Sequence, residues 1–262
     1  MIFLIGGNGL IGSAFSRYLK KNKISFKNIT RKNKKNFFNK KCDLIIDCNG
    51  NGSKRFGINN PLLDFKASVE TVIENLCKIK FRKYIYISSC QVYENLSKKK
   101  FSKENYISKQ KKINNYGFNK LIAENYIKKY SKKYMIIRLP YVIGPNLKRN
   151  PFYDLLYKKR SFLTLDSKIN CIHTDSIVKI CMELHKKNIN GTFNIGSKNT
   201  IKINKIIKLL KLKNNHVKKN KRTKDINNIN LDKIKKICNL PNIISEAEKY
   251  FNNEKIKNFK SL

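Results

Sequence analysis

The sequence predicts an α/β fold, a doubly wound parallel sheet with a small, discontinuous C-terminal lobe. Three observations predict it. Short apolar runs alternate with longer helical patterns, a glycine-rich turn follows the first run directly, and 40% apolar residues over 262 positions are enough to build a core. Strands separated by helices call for parallel pairing through right-handed crossovers, the hand that packs each helix back onto the sheet.

The elements follow in order. Ile2–Ile5 reads as the opening strand, and Gly6-Gly7-Asn8-Gly9-Leu10-Ile11-Gly12 leads from it into a helix over Leu10–Leu19. In that setting Gly6 permits a tight turn, Gly9 lets the backbone approach a pyrophosphate, and Gly12 permits close packing of helix on strand. The helix N-terminus supplies N–H donors to the anion. The spacing is GxxGxxG, which resembles the short-chain dehydrogenase variant of the Rossmann-like turn. A dinucleotide site normally places an acid about 20 residues on, to hold the ribose 2′-OH. Here the first acidic residue of the chain is Asp43, and the corresponding stretch is Ile29-Thr30-Arg31-Lys32. A hydroxyl at Thr30 and the cations Arg31 and Lys32 suit the additional phosphate of NADP, so NADP is slightly preferred over NAD.

Leu44–Ile46 and Val69–Cys77 form the next strand and helix pattern. Tyr84–Ile87 is the following strand, delivering Ser88 and Ser89 at its carboxyl end, where α/β sheets bind ligands. Tyr116-Gly117-Phe118-Asn119-Lys120 comes 27 residues beyond Ser89 and runs into a helix over Leu121–Tyr130. A Tyr and a Lys four apart on one helix face stand one turn from each other. An ammonium there favours the phenolate and is expected to bring the Tyr116 pKa down, so that its oxygen exchanges a proton with a substrate hydroxyl while Ser89 bonds the same oxygen. Met135–Leu139, Ile177–Leu184 and the strand-like Thr192–Ile195 complete the pattern. Residues 1–145 are expected to form the dinucleotide-binding domain, with 172–196 returning to it. Residues 146–171 and 197–262 are left for the small substrate lobe, with turn signals at Gly144-Pro145 and Asn150-Pro151. Within it, Lys211–Asn230 is rich enough in Lys and Asn to be expected partly as loop.

A net charge of +41, from 58 Lys+Arg against 17 Asp+Glu, raises nucleic acid as a partner. The excess is nearly all Lys, comes with abundant Asn and Ile, and is spread through every segment. That is what an AT-rich coding sequence produces, and it argues against a selected nucleic-acid stripe, though it still attracts anionic substrates. A non-catalytic Rossmann-fold protein binding nucleic acid or serving as a scaffold is the alternative function; the glycine turn, Tyr116 and Lys120 speak against it. Seven cysteines, an odd number with no CxxC pair, exclude a zinc knuckle and a secreted disulfide framework, and no metal is expected. The opening strand is too short for a signal peptide's apolar region, and no run approaches the ~20 apolar residues of a membrane span. A cytoplasmic protein without a membrane partner is expected.

With these motifs in place, the chain resembles the NAD(P)-dependent epimerase/dehydratase family, the extended short-chain dehydrogenases that act mostly on nucleotide sugars. Arg138-Leu-Pro140-Tyr-Val142-Ile-Gly144-Pro145 resembles the family's strand-six signature bordering the nicotinamide. Ile172-His173-Thr174-Asp175 resembles its H-x-D segment, and Gly191-Thr-Phe-Asn194-Ile-Gly196 its returning strand. The resemblance implies Ser89, Tyr116 and Lys120 as the catalytic triad. It implies Gly6 to Gly12, Asn49, Ser88, Pro140 and Val142 at the cofactor, beside Thr30, Arg31 and Lys32, and Gln91 and Tyr93 at a nucleotide-sugar substrate, for whose phosphates Arg149 and Arg160 of the small lobe are candidate cations. Arg138 is read as structural, as are His173 and Asp175, the latter as N-cap of the helix over Ile177–Leu184. Departures narrow the activity: Cys90 and Gln91 stand where the family's 4,6-dehydratases carry Asp-Glu, which disfavours dehydration. Asp47-Cys48-Asn49-Gly50-Asn51 replaces the usual His-Leu-Ala-Ala. The implied activity is an epimerase or a ketosugar reductase, within surface-polysaccharide biosynthesis, with a homodimer as the expected assembly. The same Tyr, Lys and Ser serve both reactions, so both stay open.

Overall fold

The computed structural model describes residues 1–157, 161–209, 211, 217–218 and 225–259. The first half holds β1 (Ile2–Ile5), α1 (Leu10–Lys21), β2 (Phe26–Ile29), β3 (Lys41–Asp47), α2 (Lys54–Asn59), α3 (Pro61–Phe65), a π-type turn over Lys66–Glu70 that continues into α4 (Thr71–Lys78), β4 (Lys80–Ser89), α5 (Asn115–Tyr130) and β5 (Tyr134–Leu139). There follow β6 (Tyr141–Ile143), α6 (Pro151–Leu156), β7 (Ser161–Thr164), β8 (Lys168–Ile169), β9 (Cys171–His173), α7 (Thr174–Lys186), β10 (Gly191–Asn194), β11 (Ile201–Lys202), α8 (Ile203–Leu209), β12 (Val217–Lys218), α9 (Asp232–Lys235) and α10 (Ile243–Phe259). The chain forms two compact units. Met1–Glu94, Glu104–Leu139 and Val178–Phe193 make the first; Asn95–Lys103, Pro140–Ile177 and the segment from Asn194 onward make the second.

The first unit is built on a six-stranded sheet in the order β10-β5-β4-β3-β1-β2, with parallel pairing of β1 with β2 and β3, and of β4 with β3 and β5. This is the Rossmann-like α/β sheet that the alternating pattern predicts. From β1 the chain crosses outward to β2 and then back past β1 to β3, and this reversal opens a crevice at the carboxyl ends of β1 and β3. β1 and the second half of β3 are buried on both faces, which is why Ile2–Ile5 and Leu44–Ile46 are continuous apolar runs. β2 escapes that pattern because it is an edge strand with alternating burial, so Phe-Lys-Asn-Ile shows no apolar run. One core layer packs Ala123 and Ile127 of α5 and Val72 of α4 against Ile45, Tyr84, Tyr86 and Ile136 of the sheet. At about 1.5–3 kcal/mol for each fully buried large apolar side chain, this layer anchors α5 to the strands that carry the site.

The second unit surrounds its own core, in which Ile143, Phe152, Leu163, Ile169, Ile206, Tyr250 and Phe251 are buried. Its strands pair as three short ribbons, β6 with β9, β8 with β11 and β7 with β12. Helix α7 starts at Thr174, so Asp175 lies inside its first turn rather than capping it. The cap is His173, whose Nδ1 accepts from the Asp175 N–H at 3.2 Å; the Asp175 carboxylate is half exposed and reaches Lys249 at 3.3 Å. A ring nitrogen thus takes the place that a carboxylate was expected to fill. Most of Lys211–Asn230 lies outside the described residues. Among those described, no helix is long and apolar enough to cross a membrane.

Candidate active site

The glycine turn leaves β1 and enters α1. Gly6 has φ +74°, a left-handed conformation that a Cβ disfavours, and its carbonyl accepts from the Gly9 N–H at 3.0 Å, closing the turn. A Cβ on Gly12 would stand 2.1 Å from the Gly6 carbonyl oxygen, so helix and turn touch backbone to backbone. No side chain caps the start of α1, whose N-cap is Gly9. The first-turn amides, beside Leu10 and Ile11, are therefore left for an anion. The turn meets the end of β3, where the Asn49 N–H and the Cys48 carbonyl oxygen would each lie close to 3 Å from a Cβ on Gly6. These features fit a dinucleotide pyrophosphate. Asn8 accepts at its side-chain oxygen from Asn28 Nδ2 at 3.0 Å. On the stretch after β2, Thr30 gives both its N–H and its hydroxyl to Asn33 Oδ1, while Arg31 and Lys32 are exposed. Asn49 binds Thr71 Oγ1 at 3.1 Å through its amide.

β4 ends in Ser88 and Ser89, and α5 begins at Asn115 after the cap residue Asn114, whose side-chain oxygen accepts from the Gly117 N–H at 3.1 Å. Asn114 also donates to Gln91 Oε1 at 3.2 Å. A Cβ on Gly117 would sit 1.9 Å from the Gln91 carbonyl oxygen, so the first turn of α5 lies hard against the turn that follows β4. This contact brings the Tyr116 phenol near Ser89, whose hydroxyl lowers its pKa; Ser89 Oγ itself accepts from the Gln91 N–H at 3.2 Å. One helical turn on, the Lys120 ammonium is buried beneath the strand end, donating to the Ile87 carbonyl at 3.2 Å and lying 4.8 Å from the centre of the Tyr86 ring.

The electrostatics depart from the sequence expectation. Burial pushes the Tyr116 phenol up to about 12, more than the nearby Ser89 hydroxyl brings it down, and the Asp64 carboxylate adds to the rise. In the ligand-free site the phenol therefore keeps its proton. Burial also lowers Lys120, against the opposing pull of Asp47 and Asp64. A neighbouring ammonium was expected to make the phenol more acidic; its removal from water instead raises it.

Two further predicted residues are engaged elsewhere. Ser88 gives its hydroxyl to Glu124 Oε1 at 2.6 Å, and Tyr93 accepts at its phenol from Arg138 Nη1 at 2.7 Å. Arg138 closes on Glu124 with Nη2 at 2.6 Å and Nε at 3.0 Å, both side chains buried. Burial opposes the Arg138 charge, but Glu124 more than offsets it and raises the guanidinium. Pro140, Val142 and Arg149 belong to the second unit, Arg149 exposed; Arg160 lies outside the described residues. No group of three or more His, Cys, Asp or Glu among the described residues is arranged to hold a metal ion.

Sequence reasoning missed Asp64, Asn119 and Glu124. Asp64 is fully buried on α3, accepting from Asn119 Nδ2 at 2.7 Å, Asn51 Nδ2 at 3.1 Å and Ser68 Oγ at 3.3 Å. The position of Asn119 between Tyr116 and Lys120 was visible; its partner, 55 residues away, was not.

Similar folds occur among solved structures. The UDP-glucuronic acid 4-epimerase from Bacillus cereus, in complex with UDP-glucuronic acid and NAD, superposes with a TM-score of 0.77 at 17% identity, covering 98% of this chain and 99% of that one. The dTDP-4-dehydrorhamnose reductase from Bacillus anthracis, in complex with NADP, gives 0.76 at 15% identity, covering 96% and 97%. The UDP-glucose 4-epimerase from Thermotoga maritima, with UDP-glucose, gives 0.71 at 19%, covering 97% and 99%. At these identities the likeness is one of fold. No curated protein sequence matches. Residues 2–196, about three quarters of the sequence, match the NAD dependent epimerase/dehydratase family, and on that match, together with the uncapped glycine turn and the buried Ser89–Tyr116 contact, the chain belongs to this family.

Proposed function

We propose that this protein is an NAD(P)-dependent enzyme that reduces or epimerises a carbon of a nucleotide-linked sugar. Tyr116 acts as the proton-transferring group, Ser89 as its hydrogen-bonding partner at the substrate oxygen and Lys120 as the cation beneath them. The observation that carries this reading is the buried Lys120 ammonium, one helical turn from Tyr116 and donating to the Ile87 carbonyl just before Ser88 and Ser89, on the same sheet end as the glycine turn. When bound, a nicotinamide nucleotide supplies or accepts hydride. The chain's own residues do the rest. The first-turn amides of α1 hold the pyrophosphate, and Arg31 and Lys32 favour a 2′-phosphate. Tyr116 gives its proton to a carbonyl oxygen as that oxygen becomes a hydroxyl, and takes it back in the reverse sense. Lys120 stabilises the phenolate left behind. Its protonated resting state makes Tyr116 a donor, the form that ketone reduction requires.

Gln91, half-buried beside Asn114, and the exposed Arg149 are the proposed substrate contacts, Arg149 as a cation for the diphosphate. A cytoplasmic location and a homodimer fit the same reading.

The test is turnover with reduced nicotinamide nucleotide and a nucleotide-linked 4-keto sugar, and with UDP-glucose and NAD. Consumption of the reduced nucleotide identifies a reductase; interconversion without net consumption identifies an epimerase. Tyr116→Phe is expected to lower either rate by about 10²–10⁴-fold. Full activity in that variant would overturn the reading.

A further inference from the structure

Tyr84, Tyr86 and Ser88 alternate along β4 and so share one face of it, the face that packs against α5. Two of their three hydroxyls are spent on carboxylates: Tyr84 donates to Asp47 Oδ2 at 2.5 Å and Ser88 to Glu124 Oε1 at 2.6 Å. The Tyr86 hydroxyl between them is buried and has no hydrogen-bond partner among the described residues. A buried hydroxyl left unbonded costs stability, so the hydroxyl does not account for this side chain. What the side chain meets is a charge. The Lys120 ammonium lies 4.8 Å from the centre of the Tyr86 ring, within the range at which an aromatic face holds a cation.

Two main-chain groups also adjoin the ammonium. The Ile87 carbonyl accepts from it at 3.2 Å, and Gly50, after β3, comes so near that an added Cβ would stand 3.1 Å from Nζ. Gly50 has φ +109°, a backbone conformation that a side chain disfavours. The acids that bear on Lys120 through space are committed to other partners: Glu124 to Arg138, Asp47 to Tyr84, Asn75 and the Asn49 N–H, and Asp64 to Asn119, Asn51 and Ser68. Cys48 also bears on it, and burial keeps that thiol neutral.

Resting on the proposed role of Lys120, we propose that Tyr86 is its positioning residue: the ring face stands in for a counter-ion and, with the Gly50 main chain as a second wall, fixes the ammonium one helical turn from Tyr116. The negative face of an aromatic ring attracts a cation without accepting its proton. A contacting carboxylate would cancel the charge, whereas a ring leaves it whole for the phenolate that forms on Tyr116.

The test needs neither substrate nor cofactor. Denaturant unfolding is followed against pH in the wild type, in Tyr86→Phe, in Tyr86→Leu and in a protein carrying trifluorophenylalanine in place of Tyr86, each with and without Lys120→Met, so that the difference isolates residue 120. Fluorination withdraws electron density from the ring face and changes its shape little, which keeps the test decisive where the Leu variant fails to fold. The folded chain holds Lys120 below its ordinary 10.5, so the stability it contributes rises with pH once the lowered value is passed. That rise is expected to begin at the same pH in the wild type and in Tyr86→Phe, and about half to one pH unit lower with the fluorinated ring and in Tyr86→Leu. An unchanged onset with the fluorinated ring, or an equal shift in Tyr86→Phe, would overturn the proposal. Failure of the enzymatic reading shows separately, as retained turnover in Tyr116→Phe.

Discussion

Arg138 on β5 and Lys120 on α5 are both buried cations of the first unit, each 3–4% exposed, and they are held in opposite ways. Arg138 meets Glu124 in a two-pronged ion pair, with Tyr93 and the Glu104 carbonyl taking a remaining donor at 2.7 and 3.3 Å. Lys120 has one hydrogen bond, to a backbone carbonyl, and feels its carboxylates only through space. A fully paired cation is a structural part. One that lacks a contacting anion costs stability, and its retention in a buried place points to chemistry. The difference is a physical contrast between two residues that the sequence motifs already read apart, Arg138 as structural and Lys120 as one of the triad.

The sharpest way to break that comparison is Lys120→Met. Turnover is expected to fall by about 10²–10⁴-fold, as for loss of the phenol itself, while thermal unfolding shows no loss of stability, because a buried unpaired charge is exchanged for an apolar chain of similar length. A melting temperature that drops sharply would make Lys120 structural. Arg138→Met should do the reverse, costing about 3–5 kcal/mol in denaturant unfolding because Glu124 is left buried and unpaired. Loss of turnover without loss of stability in that variant would contradict the assignment.

The pH dependence sharpens the same contrast more gently. The folded chain lowers Lys120 below its ordinary 10.5, so the unfolded chain holds more protons between the lowered value and 10.5. Stability from this residue therefore rises with pH across that window, and the Lys120→Met protein should lack this component of the rise in unfolding free energy. Smallest is the effect of Arg31→Ala. Its exposed side chain would give up about tenfold in NADP affinity with NAD affinity unchanged, read by equilibrium titration of both nucleotides. Equal loss for both would remove the case for a 2′-phosphate contact.

How much of this was legible in the sequence depends on the distance over which each signal acts. The glycine turn and the pairing of Tyr116 with Lys120 are local patterns, written within seven and five residues, and the structure brings the turn, Ser89, Tyr116 and Lys120 to one end of the sheet. β1, β3, β4 and β5 were visible because the buried stretches of parallel strands are mainly apolar, as in Ile2–Ile5, Leu44–Ile46, Tyr84–Ile87 and Met135–Ile137. α2 and α3 were not read, since six- and five-residue helices joined at Pro61 span too few turns for a period to emerge. Glu124 and Asp64 carry no local mark at all. Each looks like an ordinary surface acid until folding sets it against Arg138 or Asn119. The Tyr116 pKa was misjudged for a related reason: helical spacing reveals a neighbouring charge but not how much water has been removed.

The close approach of Gln91 to Gly117 has a consequence for how this protein can diversify. With 1.9 Å between a methyl at 117 and the Gln91 carbonyl oxygen, the gap is shut by main chain on both sides. The interval from serine to tyrosine is thereby gauged by peptide planes, whose tolerance is far finer than the play of any rotamer. Replacing side chains elsewhere around the proposed site leaves this gauge untouched, so whatever binds there can change over generations on an unaltered frame.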